Sequence, residues 1–318
     1  MGVRDLVLKA FCVGAAAAGL AAAVVSAIAA GSVWRMTRRR PPDPPEDPAV
    51  LGLAFEEVAF RARDGLLLRG WFLPAPGVPA DGPAVIFCHG HSGSMDPDLR
   101  YVPALHEAGC HVLMFDFRGH GRSEGQRVGM GYLERWDLLG AVDFLWERGI
   151  RRIGVLGFSM GGAAALLTAA ECPRILAVAT DGAFARLLPV LVAGMRQRGL
   201  PGPVAQAAGR LSLALMGWEL RVPIRDVSPL DCVPALAPRP LLLIHGGRDA
   251  FVPLEEALAL YARAGFPKTL WLVGEAGHRE VDQARPEAYR ARLGQFFRQA
   301  LGAGPVPAPT PRGSNPTP

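Results

Sequence analysis

The sequence predicts a doubly wound, mostly parallel α/β domain. Three observations predict it. Short apolar runs bounded by glycine, proline and polar turns recur along the chain, as parallel strands buried on both faces require. Helical patterns alternate with those runs, as crossover connections require. Residues able to do chemistry, Ser159, His89, Asp249 and His278, fall just after such runs, where the carboxyl ends of strands would gather them.

The first element is not part of that domain. Ala10 to Trp34 carries no charged residue. At 1.5 Å per residue this run is about 37 Å of helix, enough to cross a bilayer. The chain then turns basic at Arg38-Arg39-Arg40 and proline-rich in "PPDPPEDP", which suits a membrane edge followed by a stiff spacer. We therefore expect a membrane anchor over 1–40 and a linker over 41–52. A secretory signal is the alternative, because Ala27-Ile28-Ala29 resembles a cleavage site. The apolar run continues past that site, which favours the anchor. Arg35, Arg38, Arg39 and Arg40 outweigh Arg4 and Lys9, which Asp5 offsets. The main domain then lies in the cytoplasm, whereas signal cleavage would send it outside.

The globular part follows from about Leu53. "EEVAFRARDGLLLRGWFLP" is two strand-like runs joined at Asp64-Gly65, a hairpin signal. "PAVIFCHG", "CHVLMFDFRGHG", "RRIGVLGFS", "RILAVATDGA", "RPLLLIHGGRD" and "KTLWLVGEAGH" supply six more, for an expected sheet of eight strands. Helices are expected at Tyr132 to Arg148, Gly162 to Glu171 and Leu254 to Ala264. The stretch 184–227 breaks the rhythm with leucines, Met195, Met216 and Trp218, and reads as a helical insertion after the sixth strand. The domain should end near 302, and 303–318 is a proline-rich tail expected to be disordered.

Composition excludes several classes. The chain of 318 residues is 50% hydrophobic, enough for one large core, and its net charge is only +5. The one dense basic run adjoins the apolar segment, and no nucleic-acid motif is present, so nucleic acid is not an expected partner. No two of Cys12, Cys88, Cys110, Cys172 and Cys232 have the C-x-x-C spacing of a zinc site or a redox dithiol. Cys88 would end one strand and Cys110 start its parallel neighbour, too far apart to bridge.

The chemistry centres on "GVLGFSMGG". Gly157, Ser159 and Gly161 spell G-x-S-x-G, which lets a strand turn sharply into a helix with the serine at the apex. A serine hydroxyl needs a base, and the base needs an orienting acid. Asp249 follows a buried run and a turn, and of the seven histidines only His278 comes after it. Ser, Asp, His is the chain order that this strand–turn–helix arrangement uses. The oxyanion donors expected beside Ser159 are the backbone N–H groups of Met160 and His91. Asp181 also ends a run and is a rival acid, while Asp249 could simply cap the next helix. His89, His120, Asp116 and Arg118 read as structural.

"CHGHSGS", "FDFRGHGRSEG", "GFSMGG", "SPLD", "IHGGRDAFVP" and "GEAGH" together resemble the α/β-hydrolase superfamily, over about Phe55 to Leu301. The opening hairpin is similar to the branch of membrane-anchored serine hydrolases that includes protein depalmitoylases. The elbow is similar to that of bacterial esterases and cofactor-free perhydrolases. The resemblance implies a triad of Ser159, Asp249 and His278, with no metal and no organic cofactor. It does not fix the substrate. The ordered Ser159, Asp249 and His278 point to an ester or thioester. The anchor together with the leucines, methionines and tryptophan of 184–227, as a lining for an acyl pocket, point to a small-molecule or lipid-like acyl ester. An amidase or peptidase of the same fold, or a non-catalytic binding protein, remains the alternative, since one fold hosts many chemistries.

Overall fold

The strands form where the apolar runs predict them; the central ones are buried on both faces, whereas β1 and β8 at the sheet edges keep one or more residues exposed. In the computed structural model, which describes residues 3–224 and 228–302, β1 (Glu56–Arg61), β2 (Leu67–Leu73), β3 (Ala84–Cys88), β4 (His111–Phe115), β5 (Ile153–Phe158), β6 (Ile175–Asp181), β7 (Leu241–Gly246) and β8 (Lys268–Val273) make one sheet. Its order is β1-β2-β4-β3-β5-β6-β7-β8. The β1–β2 hairpin is antiparallel, β2 meets β4 antiparallel, and the rest is parallel. All residues of β3, β4, β5 and β7 are buried, so polar residues there would have had no water to face.

The helices in chain order are α1 (Val3–Thr37), α2 (Val102–Glu107), α3 (Glu134–Glu147), α4 (Met160–Glu171), α5 (Leu187–Gln197), α6 (Gly202–Leu220), α7 (Pro229–Cys232), α8 (Leu254–Arg263), α9 (Val281–Ala284) and α10 (Pro286–Leu301). One face of the sheet packs on α3, α4 and α8 through residues such as Leu138, Leu166 and Leu260. The other packs on α2 and α10 through Leu105, Leu293 and Phe297. The register places the carboxyl ends of β5, β6 and β7 level, with Phe158 opposite Asp181 and Asp181 opposite Ile244. The loops that follow these strands therefore converge on one spot. The cysteines are free, and Cys88 and Cys110 lie at opposite ends of parallel β3 and β4, as the spacing predicts.

α4 starts two residues before the expected helix. Gly161 lies in its first turn because a Cβ there would collide with the carbonyls of Cys88 and His89. The expected insertion after the sixth strand is the pair α5 and α6, with 225–227 outside the described residues. The expected tail, 303–318, also lies outside them.

The amino-terminal segment differs from expectation. Phe11–Thr37 is long and apolar enough to cross a membrane, with mean hydropathy 2.2. Yet its carboxyl-terminal turns are not free of the domain. Ala29, Val33 and Thr37 are buried, and Val25 and Ile28 pack on the cluster of Met195, Ala205 and Ala208. Small residues on α6, Ala205, Ala208 and Ser212, let the two helix backbones approach closely.

The stretch expected as a stiff spacer is strapped to the domain instead. Arg39 donates to the carbonyls of Gly121, Ser123 and Gly125 at 2.7–2.9 Å. Arg38 bridges Arg127, Asp43 accepts from the Ser94 N–H at 2.8 Å, and the Glu46 N–H donates to Asp96 at 2.9 Å. Proline removes donors and stiffens the chain, but it does not prevent docking when flanking residues carry the hydrogen bonds.

Candidate active site

Ser159 sits between β5 and α4 with φ 51° and ψ −113°, in the left-handed half of φ space that a non-glycine residue rarely enters. Its N–H donates to the Asp181 carbonyl at 2.9 Å and its own carbonyl accepts from Ala163 at 3.1 Å. The turn is pinned from both sides. A Cβ on Gly157 would strike the Gly161 backbone, so the two flanking glycines are a steric requirement of the turn.

His278 follows β8 and reaches Ser159 Oγ with Nε2 at 3.1 Å. Its Nδ1 lies 2.6 Å from Asp249 Oδ2. The other oxygen of Asp249 accepts from the Phe251 and Val252 N–H groups, both at 2.8 Å. Asp249 thus fixes the loop before α8 and faces the imidazole at once, but it does not cap α8, whose N-cap is Pro253 with no side-chain hydrogen bond. Its side chain is 1% exposed and that of His278 18%. Gly182 has φ 67°, and a Cβ there would come 3.0 Å from the His278 ring, so this position also needs glycine.

Asp181 is not brought to the imidazole. It lies beneath Ser159, accepts from the Tyr289 hydroxyl at 3.0 Å, and leaves its second oxygen without a partner. Burial pushes its carboxyl up to about 6. His89 is structural: its Nε2 accepts from the Phe117 N–H at 2.9 Å and its Nδ1 donates to the Gly90 carbonyl at 2.7 Å. Burial holds it well below the usual histidine range. Asp116 accepts from the Met95 and Arg122 N–H groups, and Arg118 pairs with Asp137 and Asp64, so both hold loop geometry.

Met160 is the first residue of α4, where the helix leaves the N–H without an internal acceptor. His91 lines the same cavity as Ser159. Its ring is fixed by the Met36 carbonyl, 2.8 Å from Nε2, and its own carbonyl lies 3.0 Å from His120 Nε2. Burial lowers its pKa to about 4, so the imidazole is neutral and donates to Met36.

The cavity above Ser159 measures about 830 Å³. Phe184, Val190, Leu191, Met195, Leu200 and Phe251 give it apolar walls. The expected insertion contributes leucines and Met195, but Met216 is buried in the core and Trp218 is 82% exposed, away from the cavity. The tryptophan at the site is Trp34 of α1. Sequence reasoning also missed Arg279. It has φ 59°, pairs with Asp98 at 2.5 Å, stacks over Phe158 and lines the cavity beside His278. Its only trace in the sequence is its place directly after His278.

Comparisons with known proteins agree with this architecture. The α/β hydrolase fold model matches residues 83–198. The protein YfhR of Escherichia coli (strain K12) is 32% identical over 254 residues, 77% of this chain and 81% of that one. The α/β hydrolase domain-containing protein WAV2 of Arabidopsis thaliana is 30% identical over 226 residues, 69% of this chain and 70% of that one. Among solved structures, the esterase Pf2001 of Pyrococcus furiosus superposes with a TM-score of 0.69 at 28% identity, covering 84% of this chain and 99% of its own. With its eight-stranded sheet, its serine at the β5–α4 turn, the matching fold model and an α/β hydrolase domain-containing relative matched over 70% of its length, the chain belongs to the α/β-hydrolase family.

Proposed function

We propose that the protein is a serine hydrolase that cleaves carboxylic ester or thioester bonds of an apolar acyl substrate at a membrane surface. The observation that carries this reading is the continuous chain Ser159 Oγ, His278 Nε2, His278 Nδ1, Asp249 Oδ2, with gaps of 3.1 and 2.6 Å. These are distances at which a proton passes between positioned groups.

Ser159 Oγ attacks the acyl carbonyl while its proton moves to His278 Nε2. Asp249 holds the Nδ1–H and stabilises the imidazolium that forms. The N–H groups of Met160 and His91 receive the negative charge on the carbonyl oxygen, a contribution of about 3–4 kcal/mol for each such donor. His278 then returns the proton to the leaving alcohol or thiol. Water, deprotonated by the same imidazole, releases the acyl group from Ser159. The apolar cavity supports an acyl chain as the recognised part, since a methionine-containing wall adapts to variable chain shapes. Phe11–Thr37 supports single-pass membrane attachment, with the catalytic domain in the cytoplasm by the charge bias around the span.

A fluorophosphonate tests the nucleophile. It should label the full-length protein, and Ser159→Ala should abolish the labelling; labelling that survives refutes the assignment. Ester and amide substrates sharing one acyl group then separate an esterase from an amidase.

A further inference from the structure

α1 does more than hold the domain near a bilayer. Ala27, Gly31, Trp34 and Arg35 line the cavity that contains Ser159 and His278. Their spacing of four, three and then one residue keeps them on one helical face. Ile28, Ser32 and Met36 continue the lining around the helix, and the face beyond them, Ala29 and Val33, is buried against the domain. At the helix end the Met36 carbonyl takes the hydrogen bond of His91, whose loop borders Ser159. The helix is therefore structurally continuous with the site.

Helix length bears on where the cavity lies. Val25 is the first residue of α1 that packs on the α5–α6 pair. The apolar helix before that contact, Ala10 to Val24, is about 22 Å long at 1.5 Å per residue. A hydrocarbon core is about 30 Å thick. A spanning α1 must therefore sink several further residues, to about Ala29, into the apolar layer. Those residues already touch α5 and α6. The Trp34–Arg38 stack, 4.1 Å from guanidinium to ring, then falls at headgroup level, where tryptophan and arginine are favoured. The cavity wall formed by Ala27 and Gly31 lies at the boundary between the two layers.

We infer that α1 is one wall of the acyl-binding site, and that the acyl chain of a membrane lipid ester or lipidated thioester enters along this wall directly from the leaflet. The inference rests on the serine hydrolase reading above and adds the source of the substrate and the residues that read its length. Ala27 and Gly31 are small where the chain passes. A Cβ on Gly31 would meet no atom within 4 Å, so the position has room for a side chain that would occupy the chain's path.

Two measurements on the full-length protein in lipid vesicles test it. In the first, a fluorophosphonate bearing a fourteen-carbon chain with a terminal diazirine is attached to Ser159 and photolysed. Crosslinks should map to residues 10–35. Crosslinks confined to other segments overturn the inference while leaving the nucleophile intact. Absence of any adduct at Ser159 refutes the underlying hydrolase reading instead. In the second, Gly31→Phe and Ala27→Leu are compared with Gly19→Phe, whose site faces open space well before the contact with α6. The ratio of kcat/KM on decanoyl over acetyl p-nitrophenyl esters should fall at least tenfold in the first two and stay unchanged in the third. An unchanged ratio in all three overturns the inference.

Discussion

The Met36 carbonyl lies 2.8 Å from His91 Nε2, so the last turn of the apolar helix is hydrogen-bonded to the loop that borders Ser159. Two segments 55 residues apart in sequence thus share one piece of structure. Ala29 and Val33 extend the same contact by burial. The amino-terminal helix and the hydrolase domain are expected to behave as one cooperative unit.

Removal of residues 1–36 should accordingly fail to give a soluble, active domain. The truncation would expose the α6 surface that Val25 and Ile28 cover and the core residues packed against Val33. Val33→Ala is the milder version. Loss of two buried methyl-sized groups should cost about 1.5 kcal/mol. Thermal unfolding in detergent checks it, and an unchanged Tm in Val33→Ala would show that the contact carries no stability. A mature chain that starts after Ala29 and keeps full stability would favour a cleaved signal.

Asp249→Asn should lower turnover by about four orders of magnitude, because an amide cannot hold the imidazole in the required tautomer. Asp181→Asn should keep turnover within about tenfold, since its carboxylate meets Tyr289 and not His278. Steady-state kinetics on one ester decides it. A crippled Asp181→Asn beside a near-normal Asp249→Asn would reverse the assignment.

The acid limb of stability should carry a contribution from His91. Its folded pKa of about 4 lies below the usual value of about 6.5. The unfolded chain therefore takes the proton first as pH falls. Stability is fully present above about pH 6.5 and is lost toward pH 4. His91→Gln, which keeps a donor for Met36, should flatten the fall in Tm across that window. His89, also held low by burial, will keep part of it.

Asp181 acts in the opposite direction. Its carboxyl, raised to about 6 by burial, keeps its proton where an unfolded aspartate has lost it. Its contribution is full below about pH 4 and is lost as pH rises through about 6. Asp181→Asn should raise Tm relative to the parent more at pH 8 than at pH 4. Equal differences at both values would contradict it.

Gly182→Ala tests the fit around the imidazole. At φ 67° an alanine costs about 1–2 kcal/mol in backbone strain. Its Cβ would also press on the His278 ring from 3.0 Å. Both Tm and kcat should fall, with kcat reduced at pH values on either side of the optimum. A variant with normal kcat would show that the ring has slack.

The sequence alone determined what neighbouring residues decide. Buried parallel strands announce themselves as continuous apolar runs, and the antiparallel β1–β2 pair announces itself by its Asp64-Gly65 turn; all eight strands lie where these signals predict. The turn at Ser159 was legible because G-x-S-x-G is a local pattern: Gly157 answers to the Gly161 backbone four residues on, although Gly161 itself answers to the distant carbonyls of Cys88 and His89. Chain order singled out His278, because a doubly wound sheet sends successive strand ends to one edge, but it left Asp181 and Asp249 both eligible, and only the tertiary structure set Asp249 against the imidazole. The tertiary structure alone decided the rest. It chose Trp34 over Trp218 for the cavity, set Arg279 on Asp98, and laid the proline-rich strap along the domain through Arg39 and Asp43. These contacts join residues far apart in the chain. Their polar partners are mostly backbone carbonyls, N–H groups and carboxylates, which every stretch of sequence offers. A long-range contact of that kind leaves no periodicity and no spacing to read, so it exists only once the sheet has brought the segments together.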